Sequence, residues 1–279
     1  MKVGIIGVGS IGKRHVSNLL VMGHDVFGID EKPDRHYEDI PVVDHEDDFW
    51  CYGPEAVLVC TPPASHHLWS KKAIVHGCHV FVEKPLAMNY LEAIDLVAMA
   101  SNADKILAVG YQLRFVMDNF QRWKFYDGIN VVHRQSWDTW PSRYQKDVLL
   151  EFSHEISSAT YINGPAKAVL AQRYGHAKWD ICLEHVAASS RVIVDAGSTS
   201  AFERSIIAGD GTLMWGYRSP SNPINDRAYA DEVLAFMTAC QTGRWDERLC
   251  KGVEAAHVMQ IIDACNVSAN MAAPVRLYS

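Results

Sequence analysis

The chain lacks the cysteine pattern of disulfide-rich proteins, and it lacks the basic blocks of proteins that bind nucleic acids or anionic membranes. Its seven cysteines are scattered, odd in number and form no CxxC pair, so the sequence indicates reduced thiols rather than a disulfide framework. It has no dense run of lysine and arginine, and its formal net charge is −7. A nucleic acid or an anionic membrane is therefore not expected as the main partner.

Long apolar runs are also missing. No segment approaches the length of a membrane-spanning helix, and the first residues have the pattern of a strand rather than that of a signal peptide. Together with the reduced cysteines, these absences predict a cytoplasmic protein that binds a small molecule and acts without a membrane or a nucleic acid.

The length and the hydrophobic content of the chain are sufficient for the cores of two domains. Of the 279 residues, 48% are hydrophobic and 21% are charged, which is typical of globular proteins. Residues 1–116 alternate short apolar strands with helices, as in "KVGIIG", "HDVFGID", "PEAVLVCTPP" and "HVFVEKP". Near-continuous apolar strands of this kind indicate a parallel sheet that is covered by helices on both faces.

Residues 117–279 have a different pattern, because strands follow one another without helices between them. This predicts an open, mostly antiparallel sheet. One helix is expected at Val148–Asn163, and two more near the end of the sequence. The predicted fold class is α/β, with a doubly wound parallel domain at 1–116 and an α/β domain for substrate binding and oligomerisation at 117–279. An open sheet of this kind would expose an apolar face, which a second subunit can cover. We therefore predict a homodimer or homotetramer.

The segment "GVGSIG", Gly7–Gly12, fits the GxGxxG pattern at the junction of a strand and a helix. In a Rossmann domain such glycines permit a tight turn and bring a pyrophosphate to the helix N-terminus. Asp30 ends the second strand, where a carboxylate can accept the ribose hydroxyls and would repel a 2′-phosphate. We therefore predict NAD, with NADP less favoured, although Lys32 and Arg35 lie close enough to soften the preference. The alternative is a glycine turn with a solvated aspartate.

The segment "HVFVEKPLA" ends an apolar strand on Glu83, Lys84 and Pro85. Strands of a doubly wound sheet deliver their carboxyl ends to the edge where the nicotinamide is expected. Pro85 restricts Lys84 to extended conformations, so the backbone holds this lysine in place. The predicted role of Lys84 is to face the substrate, and the alternative is a strand-end lysine in solvent.

The segment "LLEFSHEIS" places a histidine among carboxylates on the expected helix. One side of that helix carries Glu151, His154, Glu155 and Ser158. Flanking carboxylates can orient a histidine and stabilise its imidazolium, as proton abstraction from an alcohol requires. A satisfied core histidine is the alternative.

Other polar and aromatic residues leave two interpretations open. Arg114 could anchor an anionic group of a substrate or form a structural ion pair. Trp137 could stack on a sugar face or fill the core. His76, Cys78 and His79 lie at a turn without a second group of ligands, so no metal is expected there.

Four motifs, "GVGSIGKRHV", "CTPPASHH", "FVEKPLA" and "GYQLRF", occur in the order and spacing of the Gfo/Idh/MocA family of dehydrogenases. The chain resembles this family from end to end. The resemblance implies a sugar, polyol or nucleotide-sugar substrate, with Lys84 hydrogen-bonded to the reacting hydroxyl and His154 as the general base. The residues expected to bind the cofactor are Gly7, Gly9, Ser10, Ile11, Gly12, Asp30, Thr61, Pro62, His66, Glu83, Lys84 and Gln112. Those expected to bind the substrate are Lys84, Arg114, Trp137, Glu151 and His154.

The sequence departs from the family beside the histidine. Many members have acids where this chain has Leu150 and Ser157, and Glu151 is expected to supply the missing carboxylate. The main hypothesis is an NAD(P)-dependent dehydrogenase that acts on CH–OH groups. One alternative is a non-catalytic regulator that senses NAD or sugar on the same fold. Another is a reductase of an imine or a tetrapyrrole, for which Lys84 or His154 would be dispensable.

The carboxylate of Asp30 predicts that the protein binds NADH more tightly than NADPH, because a 2′-phosphate beside it would be repelled. Titrating the protein with each reduced cofactor and following nicotinamide fluorescence tests this preference. Tighter binding of NADPH would show that Asp30 does not have the assigned role.

Overall fold

The computed structural model describes residues 1–31, 39–117, 128–136, 148–197, 202–217 and 223–278. The chain forms two compact units. The first consists of Met1–Phe115 and Asp226–Ala256, and the second of Val116–Asn225 and His257–Ser279. Each unit contains one sheet of its own.

Most of the described elements up to residue 116 alternate between strands and helices, as expected. They are β1 (Lys2–Ile6), α1 (Ser10–Val21), β2 (Asp25–Ile29), β3 (Val42–Val43), α2 (Glu46–Cys51), β4 (Ala56–Val59), α3 (His66–Val75), β5 (His79–Glu83), α4 (Tyr90–Asn102), β6 (Leu107–Gly110) and α5 (Leu113–Val116).

The later described elements are mainly strands. They are β7 (Gly128–Arg134), α6 (Val148–Glu151), α7 (Ser153–Asn163), β8 (Ala168–Tyr174), β9 (Lys178–Glu184), β10 (Ser189–Asp195), β11 (Glu203–Ala208), β12 (Leu213–Tyr217), α8 (Pro223–Thr242), β13 (Cys250–Lys251), α9 (Gly252–Met271) and β14 (Val275–Arg276).

The sheet of the first unit has the order β13-β6-β5-β4-β1-β2-β3 in the described part of the chain. All neighbouring strands are parallel except β13, which pairs antiparallel with β6. The apolar residues of β4 and β6 are buried throughout, as strands covered on both faces must be. The predicted Rossmann sheet is confirmed, and the carboxyl ends of β1, β2, β4, β5 and β6 lie at one edge.

The near-continuous apolar pattern of "KILAVGYQLRF" predicts a single strand, but the structure has a strand followed by a helix. Strand β6 ends at Gly110, and the N–H of Arg114 then donates to the carbonyl oxygen of Tyr111 at 3.0 Å. This turn begins α5, so the prediction of a continuous strand was wrong. Apolar residues are buried in both elements, which is why hydrophobicity alone did not separate them.

The sheet of the second unit has the order β12-β11-β7-β10-β9-β8-β14 among the described residues. Only β7 and β10 pair in parallel, and the other described pairs are antiparallel. Helix α7 packs against β7 and β10. The prediction of an open, mostly antiparallel sheet is confirmed.

The expected helix at Val148–Asn163 is interrupted. Phe152 has φ −97° and ψ 25° and separates α6 from α7. Its ring packs edge-on against the ring of His133 in β7, with 4.5 Å between the centroids. The prediction of one continuous helix was therefore wrong, and the helical spacing that placed Glu151 on the same side as His154 does not apply across the break.

The division at residue 116 also needs a correction. The first boundary falls between Phe115 and Val116, but Asp226–Ala256 returns to the first unit. Strand β13 extends the first sheet through β6, and the buried ring of Phe236 lies 5.5 Å from that of Phe81. The pattern of an amphipathic helix indicates that the helix packs on a hydrophobic core, but it does not indicate which core. For this reason the sequence analysis placed the segment in the wrong unit.

The face of the second sheet that points away from α7 carries ion pairs. Arg191 pairs with Asp180, and Lys178 pairs with Asp195, across β9 and β10. On the same face, by strand alternation, Arg134 is 2.7 Å from Glu203. These positions do not form the apolar surface that motivated the oligomer expectation, so the homodimer or homotetramer stays a prediction. None of the described helices is both long and apolar enough to cross a membrane.

Replacing Phe236 with alanine should destabilise the protein by about 3–5 kcal/mol, because the change leaves a cavity beside Phe81 in the first core. Leu234 on the same helix is 51% exposed, so Leu234→Ala should change the stability by less than about 0.5 kcal/mol. Urea unfolding of both variants tests the placement of α8, and equal stabilities would contradict it.

Candidate functional site

The glycine loop between β1 and α1 is compact enough to exclude side chains. Gly7 has φ +90°, and a Cβ at this residue would lie 3.0 Å from the backbone of Cys60. A Cβ on Gly12 would lie 2.1 Å from the carbonyl oxygen of Gly7. Ser10 and Ile11 begin α1, whose first N–H groups have no partner within the helix. This arrangement fits the pyrophosphate of a dinucleotide.

Asp30 lies next to this loop. Its Oδ2 atom accepts a hydrogen bond from the backbone N–H of Val8 at 2.8 Å, so the carboxylate at the end of β2 is held against the glycine turn. The position suits a group that binds ribose hydroxyls. The glycine cradle and this carboxylate together fit NAD. Lys32 and Arg35, which were expected to modulate the preference, lie outside the described residues.

His66 connects the backbone segments that follow β4 and β5. It is 1% exposed, with Nε2 at 2.7 Å from the carbonyl oxygen of Thr61 and Nδ1 at 2.6 Å from that of Pro85. Burial lowers the pKa of His66, while the two carbonyl oxygens act in the opposite direction. Its direct contacts are thus with the backbone of the two expected cofactor loops. Pro62 lies exposed in the first loop.

Glu83, at the end of β5, is held by a histidine of α1. The Nε2 atom of His15 donates to Oε1 of Glu83 at 2.6 Å, and the His15 side chain is fully buried. Lys84 follows directly and is half-buried, and the Lys84–Pro85 peptide bond is cis. The base of the "EKP" segment is therefore anchored inside the first unit, beside the glycine loop.

Two further expected residues contact helices from the end of the chain. The Nε2 atom of Gln112 donates to the hydroxyl of Tyr229 at 3.0 Å. Arg114 is 1% exposed and its guanidinium pairs with Glu254 at 3.2 Å. Of the two interpretations left open for Arg114, this geometry supports the structural ion pair.

Sequence reasoning missed three residues around this edge, namely His15, Tyr229 and Glu232. Glu232 of α8 is fully buried, and burial, followed by the charge of Glu83, raises its pKa well above the usual range. None of these residues belongs to a sequence motif. The signal that could have found them is the polar character of positions on otherwise apolar helix faces.

His154 lies in the first turn of α7 in the second unit. It is 5% exposed, and the hydroxyl of Ser158 donates to its backbone carbonyl oxygen at 2.8 Å. Glu151 is half-buried at the end of α6. Ser157, which stands where many family members have an acid, is buried.

Glu155 does not act as a free carboxylate beside His154. Its Oε1 atom is 2.9 Å from Nδ1 of His133 and 2.8 Å from Nε of Arg204. Burial by itself would raise the pKa of Glu155, but Arg204 and His133 hold it well below the usual range. Burial and then the charge of Arg204 lower the pKa of His133. The charge of His154 also acts to lower the pKa of Glu155, and the expectation that Glu155 orients His154 stays a prediction.

The remaining expectations concern tryptophan and metal sites. Trp137 lies outside the described residues. His79 accepts a hydrogen bond from the N–H of Ile106 at 3.0 Å, and the thiol of Cys78 donates to the carbonyl oxygen of Pro54. In the described part of the chain, no group of three or more His, Cys, Asp or Glu residues could hold a metal ion.

Comparison with known proteins gives a family and a set of relatives. Residues 1–111 match the family described as an oxidoreductase family with an NAD-binding Rossmann fold, Gfo/Idh/MocA. The UDP-N-acetylglucosamine 3-dehydrogenase of Acidithiobacillus ferrooxidans is 29% identical over 119 residues, which are 40% of this chain and 37% of that protein. The myo-inositol 2-dehydrogenase of Thermotoga maritima is 30% identical over 138 residues, 44% of this chain and 40% of that protein. The chain thus matches less than half the length of these curated relatives.

Solved structures extend the likeness of fold over the whole chain. The scyllo-inositol dehydrogenase of Lactobacillus casei, crystallised with NAD(H) and scyllo-inositol, has a TM-score of 0.80 and 15% identity. The alignment covers 99% of this chain and 98% of that chain. At this identity the comparison shows the fold alone.

Replacing Asp30 with alanine should weaken NADH binding about 10–100-fold, because hydrogen bonds to a charged group are worth about 1.5–3 kcal/mol. Asp25 lies exposed at the other end of β2, so Asp25→Ala provides a control with the same change of charge and should leave the affinity unchanged. Fluorescence titration measures both. An Asp30→Ala variant that binds NADH as tightly as the unmodified protein would exclude this carboxylate from the site.

Proposed function

Because residues 1–111 match the Gfo/Idh/MocA family of oxidoreductases, we propose that the protein is an NAD-dependent dehydrogenase of carbohydrate-like secondary alcohols. The reaction is the transfer of a hydride between nicotinamide and the carbinol carbon. One observation carries the proposal: the glycine loop, Asp30 and the "EKP" segment follow parallel strands β1, β2 and β5 at a common edge of one sheet. This is the edge where doubly wound sheets bind their ligands.

The first unit would hold the cofactor. Backbone N–H groups at the start of α1 would bind the pyrophosphate, and Asp30 would accept the ribose hydroxyls. NAD, when bound, supplies the hydride acceptor in oxidation and the hydride donor in reduction. The preference for NAD over NADP rests on the charge of Asp30 beside the loop at Val8.

Lys84 is proposed to bind the oxygen of the reacting alcohol. Its ammonium group would stabilise the negative charge that develops on this oxygen as the proton leaves. The hydrogen bond between Glu83 and His15 and the contact of Pro85 with His66 hold the backbone on both sides of Lys84. Such support limits the positions from which the ammonium can act.

His154 is proposed to be the general base that takes the hydroxyl proton in oxidation and returns it in reduction. Its imidazole is attached to the first turn of α7, and the backbone there is stabilised by the hydroxyl of Ser158. Imidazole is suited to this exchange because its ordinary pKa is near neutrality.

The substrate class is proposed from the relatives that match at the sequence level. Two of them are named for UDP-N-acetylglucosamine and for myo-inositol, and both of these molecules contain a ring that carries secondary hydroxyls. The shared chemical feature is a secondary alcohol on a six-membered ring, so a cyclic polyol or a sugar is the proposed substrate. Among the residues that the structure describes, no contact favours the regulator or the imine or tetrapyrrole reductase.

The experiment that tests this function follows nicotinamide absorbance while the protein meets NAD with myo-inositol, UDP-N-acetylglucosamine, methyl glucosides and sugar acids. We expect turnover with at least one of them. Lys84→Ala and His154→Ala should each lower kcat about 100-fold or more, because each removes a group that acts on the reacting hydroxyl. The affinity for NAD should stay nearly unchanged.

Exposed residues of the same types provide matched controls. Lys71 on α3 is 48% exposed in its side chain and His176 lies in an exposed turn, so Lys71→Ala and His176→Ala should keep the original kcat. Normal turnover in Lys84→Ala or His154→Ala would overturn the role of that residue. Tight NAD binding without turnover on any compound would instead support the sensor.

A further inference from the structure

Three titratable side chains from three elements meet beneath the first turn of α7. Glu155 of α7 lies between His133 of β7 and Arg204 of β11. The Oε1 atom of Glu155 is 2.9 Å from Nδ1 of His133 and 2.8 Å from Nε of Arg204, and Nη2 of Arg204 is 3.1 Å from Nδ1 of His133. Gln135 closes the group through its Oε1, 3.2 Å from Nε2 of His133.

The cluster is withdrawn from water. The side chains of Glu155 and His133 are each 1% exposed, and that of Arg204 is 12% exposed. The carboxylate of Glu155 faces the guanidinium of Arg204, and burial followed by the charge of Arg204 lowers the pKa of the His133 imidazole beside them. A buried ion pair of this kind is weak evidence for stability, because well-packed apolar residues are often as stable. The charges therefore call for another explanation.

We propose that Glu155 and Arg204 are positioning residues for His154, an inference that rests on the proposed function. Glu155 follows His154 directly on α7. Its Oε1 atom contacts His133 and Arg204 of the sheet, and these two contacts determine how the first turn of α7 is rotated against the sheet. His154 is rotated with it, since both belong to the same turn. A base must be directed to its proton within narrow limits, and a misplacement of about 1 Å can cost about 100-fold in rate.

Other contacts on both sides of the first turn of α7 also restrain the position of His154. The ring of Phe152, immediately before α7, packs on the His133 ring at 4.5 Å, and Ser158 binds the carbonyl oxygen of His154. The cluster and these contacts restrain the backbone before, at and after His154. A general core contact would not need to concentrate three polar partners at this one turn.

Glu155→Gln keeps the size of the side chain and removes its charge, so the pair with Arg204 is lost. We expect kcat with the best substrate of the panel to fall about 10–100-fold, with the Kd for NADH unchanged. In a His154→Ala background the same substitution should lower kcat less than twofold, because Glu155 acts through the imidazole that is already missing.

A matched control lies on the opposite face of the same sheet. Asp180 pairs with Arg191 at the surface, so Asp180→Asn removes the same kind of ion pair in the same unit. It should leave kcat within twofold in both backgrounds. If Glu155→Gln does not fold, Arg204→Lys, which keeps the charge and removes the guanidinium fork, takes its place in the same comparison.

The outcomes distinguish this inference from the function on which it rests. An equal loss of kcat in both backgrounds, or no loss in either, would overturn the positioning role while the dehydrogenase stands. If no compound is turned over, the ring nitrogen shifts of His154, identified by their absence in His154→Ala, decide the question. Glu155→Gln should move these shifts and Asp180→Asn should not; unmoved shifts in Glu155→Gln would overturn the inference.

Discussion

The glycine at residue 12 is required by its close contact with Gly7. A Cβ at residue 12 would lie only 2.1 Å from the carbonyl oxygen of Gly7. This close approach brings α1 against the carboxyl edge of the first sheet. His15, one turn further along α1, thereby reaches Glu83 at 2.6 Å and anchors the strand end before Lys84. The glycine loop thus supports both the expected cofactor site and the backbone that carries the expected substrate lysine.

Two fully buried glutamates have pKa values that are shifted in opposite directions, because the charges placed beside them differ. Glu232 faces the negative charge of Glu83, and burial together with this charge raises its pKa well above the usual range. Glu155 is equally buried, yet Arg204 and His133 lower its pKa. The pKa of the acid beside the "EKP" segment of the first unit is therefore raised, while the pKa of the acid at the turn that carries His154 in the second unit is lowered. Each arrangement depends on which side chains the fold places opposite the acid.

The parts of the fold that sequence reasoning found are those with local signals. Buried β-branched strands and GxGxxG identified the parallel sheet, and successive strands without helices identified the second sheet. The wrong predictions concern segments whose local sequence pattern is compatible with two different secondary structures. Apolar residues on both sides of Gly110 suited one long strand as well as a strand and a helix, and the helical spacing around Phe152 concealed a break that depends on its packing against His133.

The amino-acid sequence by itself determined the glycine turn, the carboxylate after β2 and the strand that ends on Lys84, because backbone freedom, side-chain alternation and proline act over a few residues. Only the tertiary structure decided that Arg114 meets Glu254, 140 residues away, and that Asp226–Ala256 packs with the first unit. It also decided that Glu155 meets His133 and Arg204. Buried charges select partners through distance and desolvation in three dimensions, and no local pattern contains that information.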